Sequence, residues 1–390
     1  MRARAGGIRS SICRWATGGT ALVSGVGLAS CVVAVGAIAG GGTAEAGPVP
    51  AVTCGTLVVP VGSTNYQFSE FTTGPASRTN TDSQGSVAYG GTFTGNFSVA
   101  QNSLGWPKAQ LTYFEGGNVG VNPTASQVNM QSGSAAIAGS ISSGSHVYTN
   151  SGGTATTGST LPFSFSTVGS ALVSCANSYG SNATTTAGTA TVPQTGALNL
   201  TATGSTNVFT ITADQLAAAQ NLYLGFPAGS TNLIDVVGSS DHLTSLSLSG
   251  INSINIGVGC SLASQGSCSQ PSPGDNSSTA GKLRDNTVWN FAPAVGFSTG
   301  YSLTFGSWNG QIVAPGSAVT LNSGAVNGSV FAASLTGAGQ TNDDPFGGTI
   351  PSSADPIPQT PEGLPVLMGG AALLGFGGVV LRRRRQLHAR

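Results

Sequence analysis

The chain has 390 residues, 59 of them glycine, and only 7% of its side chains are charged. Between Gly47 and Gly363 it carries four basic and twelve acidic residues, a formal charge of −8. This disfavours a nucleic-acid partner, because phosphate binding needs a basic footprint. Short runs of Val and Ile among Ser, Thr, Asn and Gly are typical of many short strands with tight turns, and not of a disordered chain.

Residues 1–46 have the layout of a secretory signal. Four arginines lie in the first 14 residues, no acid accompanies them, and an apolar segment follows. Ala44 and Ala46 then supply a small-x-small cleavage pattern, which predicts a mature start at Gly47. The alternative is a lipoprotein box ending at Cys31, but there the apolar segment continues where a polar tether is expected.

Four cysteines remain after removal of this signal: Cys54, Cys175, Cys260 and Cys268. An even number in an exported chain favours disulfides, for which three pairings exist. Cys260 and Cys268 bracket a short loop that can close locally, and this pairing leaves Cys54 with Cys175. Metal binding is the alternative, although the chain has no C-x-x-C pair. We expect neither a metal nor a cofactor.

The central region, 47–348, is predicted to be all-β. Leu246, Leu248, Ile254 and Ile256 alternate with Ser, Asn and Gly in the pattern of half-buried strands. A segment starting at Val128 is loosely echoed by one starting at Val319, as successive coils of a β-helix or β-solenoid would be. A β-sandwich built from similar strands remains the alternative.

Two helices interrupt this pattern. Ser164 or Ser166 can cap the first and Gly180 can end it. A second, shorter helical turn is expected at 212–219 with Thr212 as its cap. The first helix is amphipathic, and its predicted buried face consists of Phe165, Val168, Leu172, Cys175 and Tyr179.

From Gly339 onward the chain becomes polar and rich in proline, and 349–363 is interpreted as a spacer. Residues 364–381 carry no charge and are long enough to span a bilayer as a helix. Residues 382–390 form a basic tail. Its four consecutive arginines, Arg382, Arg383, Arg384 and Arg385, are typical of a stop-transfer signal that keeps the tail cytoplasmic.

A candidate sorting motif precedes this apolar segment: Ile357, Pro358, Gln359, Thr360, Pro361 and Glu362. It resembles the sortase signal L-P-x-T-G-E, with Pro361 in place of glycine, and also the PEP-CTERM signal. The predicted partners are therefore a sortase or exosortase-like processing enzyme and, during export, the membrane.

Three stretches together resemble the choice-of-anchor A family of bacterial surface domains. They are TNTDSQGSVAYGGTF from Thr79, NVFTITADQLAAAQNLYLGFPAGSTNLIDVVG from Asn207, and the block from TVWNFAPAVGF to DDPFGG that starts at Thr287. The resemblance implies an exported β-helical, adhesin-like or matrix-type domain without catalytic residues to carry over.

The acids of the central region are scattered singly, so a carbohydrate-active enzyme is the less favoured alternative. Asp82 is interpreted as a turn residue, and the pair Asp343 and Asp344 as turn or spacer. Ser174 and His242 belong to no triad-like pattern. Five aromatic residues either stack on sugars or fill the core, with the core as the commoner outcome: Trp106, Tyr113, Trp289, Tyr301 and Trp308.

The sequence therefore predicts an exported, envelope-anchored, non-catalytic surface protein, adhesin-like or a matrix component. Its ligand would be a polysaccharide, a host or neighbouring cell, or a second copy of itself. Ice binding by a flat threonine array is a further alternative, because the segments HVYTNSGGTATTGST and SNATTTAGTATV are rich in threonine. Their irregular threonine spacing favours solvated linkers instead.

Overall fold

A computed structural model describes residues 52–61, 64–101, 110–179, 186–239, 241–350 and 352. The signal cleavage residues Ala44 and Ala46, the sorting motif from Ile357 to Glu362 and the arginines 382–385 lie outside the described residues. Within the described part, no helix is long and apolar enough to cross a membrane. The body is mostly strand with a few helices, so the all-β prediction is confirmed.

The strands are β1 (Val59–Val61), β2 (Thr64–Tyr66), β3 (Glu70–Thr72), β4 (Ala76–Ser83), β5 (Val87–Tyr89), β6 (Phe93–Val99), β7 (Leu111–Glu115), β8 (Gln127–Met130), β9 (Ser134–Ile137), β10 (His146–Thr149), β11 (Ala155–Thr156), β12 (Thr186–Ala187), β13 (Thr189–Gln194), β14 (Ala197–Thr201), β15 (Thr206–Thr212), β16 (Asn221–Gly225), β17 (Thr231–Val237), β18 (Ser245–Leu248), β19 (Ser253–Gly257), β20 (Thr287–Asn290), β21 (Ser302–Phe305), β22 (Trp308–Asn309), β23 (Gln311–Leu321), β24 (Ala325–Asn327), β25 (Val330–Gly337) and β26 (Gln340–Asn342). The helices are α1 (Phe165–Ser178), α2 (Ala213–Ala217) and α3 (Thr279–Asp285), with 3-10 turns at Leu262–Ser267 and Pro293–Val295.

Most strands pair in parallel and form two long ladders, which we call the inner ladder and the outer ladder. The inner ladder runs through β12, β15, β17, β20, the first half of β23, the first half of β25, β3, β5, β7, β9 and β11. The outer ladder runs through β18, β21, the second halves of β23 and β25, β4, β6, β8 and β10. A smaller sheet has the order β13-β14-β16-β19, with β13 antiparallel to β14.

The ladders do not follow chain order. Strand β25, near the end of the body, pairs with β3 and β4 at its beginning, in the registers Val330↔Glu70 and Leu335↔Ala76. The C-terminal strands therefore continue directly into the N-terminal ones. We call this junction the join.

A buried ion pair lies at the join. Arg78 Nη2 stands 3.0 Å from Glu70 Oε1, and both side chains are fully buried. Arg78 Nη1 also donates to the carbonyl oxygen of Gly337 on β25, at 2.9 Å. Glu70 accepts from the hydroxyl groups of Tyr89, at 2.5 Å, and Thr341, at 2.6 Å. Hydrogen bonds that satisfy both charges are what a buried pair needs, because desolvating them is costly.

The middle of the inner ladder is buried on both faces. Along β23 and β25, Ile312 and Val330 face the core on one side, whereas Val313 and Phe331 belong to a separate core that contains helix α1. A parallel strand covered on both sides is expected to be apolar at successive positions, as these are. The helix therefore covers this face of the sheet.

Helix α1 matches its prediction. Ser164 caps it, its side chain accepting from the backbone N–H of Thr167. Four residues of the predicted face are buried within the helix, and Tyr179 is its buried C-cap. Asn290 Nδ2 on the inner ladder donates to the Ala176 carbonyl at 2.9 Å. Gly180, the expected stop, lies outside the described residues. Helix α2 likewise begins after Thr212, in a capping box with Gln215.

The polar stretch that starts at Gly339 is not a spacer over its described residues. Gln340–Asn342 forms β26, Ile350 is only 2% exposed, and Ser352 pairs with Tyr179. The turn or spacer interpretation of Asp344 is wrong, since its carboxylate is buried against Arg284, with Nη2 of Arg284 2.6 Å from Oδ1. Strand pairing and the buried ion pair therefore hold this stretch to the body despite its polar composition.

Both predicted disulfides are present, Cys54–Cys175 and Cys260–Cys268. The first ties α1 to the N-terminal segment. It closes a loop with a sequence separation of 121, whereas the separation in the second is 8.

We expect Cys54→Ala/Cys175→Ala to lower the free energy of unfolding by roughly 4 to 5 kcal/mol, because a long loop gains the most entropy when it is released. Cys260→Ala/Cys268→Ala is the matched control, with an expected loss of about 2.5 kcal/mol. Urea unfolding of both variants measures the difference. Equal losses would contradict the loop-closure explanation.

Candidate functional site

The outer ladder presents a regular outward row. Its alternate side chains, such as Leu246, Leu303, Val319 and Leu335, point into the core and are buried. The positions after them are polar and partly or fully exposed. Six of these lie in consecutive register across six strands: Ser247, Thr304, Thr320, Thr336, Ser77 and Thr94. We call this row the hydroxyl ladder.

Parallel strands fix the spacing of the hydroxyl ladder. Neighbouring strands lie about 4.8 Å apart, so six rungs extend over roughly 24 Å. The hydroxyl oxygens of Thr320 and Thr336 are 3.0 Å apart and share a hydrogen bond. A shorter second row, Ser245, Ser302, Ala318 and Ser334, runs beside it. The result is a repeating surface of small polar side chains.

The rungs of the hydroxyl ladder carry no charge, and the acid of these strands, Asp82, lies beyond the rungs in β4. Arg78 is the nearest cation in the strands that bear the rungs, and it is buried in the join. Each hydroxyl group both donates and accepts a hydrogen bond. Such a row can make many weak, parallel hydrogen bonds to an extended neutral ligand.

Several carboxyl groups have raised pKa values, which is a feature of catalytic acids. Burial raises the pKa of Glu115 to about 8, although hydrogen bonds from Tyr113 and the Gly117 backbone oppose the rise. Burial likewise raises the pKa of Asp235 to about 6, opposed by Asn290. Glu115 has no solvent-exposed surface, so a substrate cannot reach it. We interpret it as a structural residue.

Asp214 lies between Ser239 and His242. Ser239 Oγ donates to Asp214 Oδ1 at 2.5 Å, and His242 Nε2 stands 3.7 Å from the same oxygen. In a nucleophilic triad the histidine lies between the nucleophile and the carboxylate. Here the carboxylate of Asp214 lies between Ser239 and His242, so these residues do not form a triad. Among the residues that the structure describes, no group of three or more His, Cys, Asp or Glu side chains is arranged to hold a metal ion.

The candidate residues predicted from the sequence do not lie in the hydroxyl ladder. The favoured core interpretation is confirmed for four of the five aromatic residues, since Tyr113, Trp289, Tyr301 and Trp308 are buried; Trp106 lies outside the described residues. The turn interpretation of Asp82 is also wrong. Asp82 is part of β4, and its carboxylate accepts from Gln340 at 2.8 Å.

The hydroxyl ladder is absent from the sequence-based predictions. The threonine-rich segments supply none of its rungs, which come instead from six separate strands. The signal that could have identified it is the recurring pattern of Leu or Val followed by Ser or Thr in LSLS, LTF, VTL and LTG. Their pairing could not be read from the chain.

A β-rich body that presents a repeating row of uncharged polar side chains suits an adhesive surface domain. The chain belongs to the family described as “Putative Ice-binding-like adhesive domain”, whose sequence model matches residues 61–343. This membership indicates an adhesin-like, non-catalytic role and a surface or extracellular location. No curated protein and no solved structure matches the chain.

Glu115 should make the protein more stable in mild acid. Its folded pKa of about 8 lies above the ordinary value of 4.5, so between these limits the folded state keeps a proton that the unfolded chain has released. The free energy of unfolding therefore falls as pH rises from about 4.5 to about 8, by roughly 1.4 kcal/mol per pH unit.

Glu115→Gln removes this contribution, so the variant should lose less stability than the parent between pH 5 and pH 8 in urea unfolding. Asp275→Asn is the control. Hydrogen bonds from Ser278 lower the pKa of Asp275, which leaves it ionised throughout this range. Parallel pH profiles for parent and Glu115→Gln would show that Glu115 is not protonated in the folded state.

Proposed function

We propose that this chain is an exported surface protein that adheres through the hydroxyl ladder and is held at the cell envelope by its C-terminal segment. The family match supports the adhesin-like role. The observation that carries the proposal is the in-register row from Ser247 to Thr94, which repeats one hydrogen-bonding group per strand. Repetition lets weak contacts add up to firm attachment.

We further propose that the two ladders are sides of one β-solenoid. Strands of the inner and outer ladders alternate along the chain from β3 to β10, and Leu303, Val319 and Leu335 succeed each other at intervals of 16 residues in one row. Each turn of a solenoid covers the apolar side chains of the turn before it. Such stacking would keep the outer ladder flat and rigid.

The attachment proposal rests on the sequence outside the described residues. A motif at 357–362, an apolar segment at 364–381 and Arg382 to Arg385 have the layout of a sorting signal, as the choice-of-anchor A resemblance also implies. A sortase would cut after Thr360 and an exosortase-like enzyme near Pro361.

Mass spectrometry of the mature C-terminus tests this attachment. We expect a terminus within 357–363, joined to an envelope component. An intact C-terminus at Arg390 would contradict enzymatic sorting and support plain membrane insertion. The N-terminal peptide from the same digest should begin at Gly47.

The adhesive role of the hydroxyl ladder is tested by removing hydroxyl groups without changing side-chain shape. We expect the triple variant Thr304→Val, Thr320→Val, Thr336→Val to reduce attachment of protein-coated beads to whole cells at least tenfold, since each lost hydrogen bond contributes about 0.5 to 1.5 kcal/mol. Valine suits a strand, so folding should be preserved.

The matched control is Thr186→Val, Thr189→Val, Thr191→Val, which removes three hydroxyl groups from the exposed strands β12 and β13. It should keep attachment within twofold of the parent. Equal losses in the two variants, or no loss in either, would contradict adhesion through the ladder.

Ice is a second candidate ligand, favoured by the same observation because a flat row of threonine hydroxyls at regular spacing can order water. The measurement is thermal hysteresis of the purified full chain. Thr320→Lys, in the middle of the row, should abolish it. Absence of hysteresis in the parent would exclude ice while leaving cell adhesion in place.

A further inference from the structure

An open groove of about 380 Å³ lies on the outer ladder beyond the hydroxyl rungs, where β4, β6 and β8 continue. Its lining is mainly polar and includes Asp82, Asn96, Ser98, Gln127 and Asn129. The hydroxyl groups of the ladder thus give way to larger amide side chains. These amide side chains are longer than serine or threonine and can reach further toward a bound ligand.

Strand register arranges these side chains in two outward rows. One row joins Asn96, Gln127 and His146. The second joins Asp82, Ser98, Asn129 and Tyr148. Val128 and Met130 alternate with them and are buried, so the polar groups share one face. Successive members of a row are about 4.8 Å apart, close to the length of one sugar ring.

Two aromatic rings stand at the end of these rows. His146 and Tyr148 lie on β10, with ring centroids 5.4 Å apart and planes inclined by 26°. Tyr148 is 43% exposed, unusual for a large apolar side chain in this body. Among the described residues, β10 pairs with β8 alone, so the rings lie at the edge of the ladder. The stacked pair lies next to the amide rows.

Hydrogen bonds orient the polar groups around the groove. Gln127 Nε2 donates to Asn129 Oδ1 at 3.1 Å, which links the two rows. Gln340 Nε2 donates to Asp82 Oδ2 at 2.8 Å and positions the carboxylate. Side chains held in this way lose less conformational entropy when a ligand binds.

This chemistry selects a class of ligand. Amides both donate and accept hydrogen bonds, and a carboxylate accepts them, so together they match the hydroxyl groups of a sugar. The face of an aromatic ring packs against the apolar C–H face of a pyranose. The charged residue lining the groove is Asp82, which repels an anionic ligand.

We propose that the groove binds a neutral glycan, with one sugar ring on Tyr148 and its neighbours along the rows of Asn129, Gln127 and Asn96. The proposal rests on the adhesive function proposed above and gives it a ligand class. The hydroxyl ladder would then extend the contact along the same face.

The test measures binding of the purified full chain to immobilised neutral polysaccharides, namely dextran, mannan and cellulose, and to the anionic alginate and hyaluronate. We expect saturable binding to at least one neutral polysaccharide and at least tenfold weaker binding to the anionic ones. Tyr148→Ala should weaken neutral binding at least tenfold, whereas Tyr148→Phe should retain it within threefold. Gln127→Ala/Asn129→Ala should weaken it at least fivefold.

Leu243→Ala is the control, because Leu243 is 76% exposed and lies away from the groove. It should bind like the parent. No binding to any neutral polysaccharide, stronger binding to the anionic ones, or unchanged binding of Tyr148→Ala would overturn the inference. If cell adhesion persists and depends on Thr304, Thr320 and Thr336 while neutral glycans fail to bind, the glycan proposal falls and the adhesive function stands. Glycan binding through Tyr148 without any cell adhesion would support the glycan proposal and contradict the adhesive function.

Discussion

The join between the two ends of the body depends on the buried pair of Glu70 and Arg78. Neither charge is tolerable in an apolar interior unless both are paired and hydrogen-bonded. Among their further partners, Gly337 and Thr341 come from the C-terminal strands, so these hydrogen bonds form only when β25 and β26 lie beside β3 and β4. The ion pair therefore favours one arrangement of strands over other parallel pairings. At Gly95, which neighbours Arg78 in the next strand, φ is +110° and a Cβ atom would collide with the Arg78 carbonyl oxygen.

Once the join is formed, the two ladders have different roles. The inner ladder is covered by α1, which is fixed by Cys54–Cys175 and by ring contacts such as Phe71 with Phe165 at 5.5 Å. Ligands therefore cannot reach the face that α1 covers. The outer ladder keeps its small polar side chains in solvent, and its continuity across the join aligns Thr336 of β25 with Ser77 of β4. The proposed binding face thus exists because the C-terminal strands pair with the N-terminal ones in this order.

Local features of the fold were predictable because their causes are local. The spacing of Phe165, Val168 and Leu172 marks a helix whatever it packs against, and Ser164 and Thr212 cap helices through bonds to residues three positions on. The pairing of Cys260 with Cys268 follows from their proximity in the chain. The candidate site was less accessible to such reasoning. The core interpretation of aromatic residues such as Trp289 and Trp308 is confirmed, with their ring centroids 4.8 Å apart, but neither they nor the threonine-rich segments point to the hydroxyl ladder.

The sequence by itself determined the all-β class, the amphipathic helix, the helix caps and the sparse charge, because periodicity and composition act within a few residues. Only the tertiary structure decided which strands are neighbours. The sequence of one strand does not indicate which other strand will hydrogen-bond to it in parallel, because that partner can lie anywhere in the chain. That decision places Ser247, Thr304, Thr320, Thr336, Ser77 and Thr94 in one row. It also places Tyr148 beside Asn129, and so turns scattered polar residues into a surface with one chemical character.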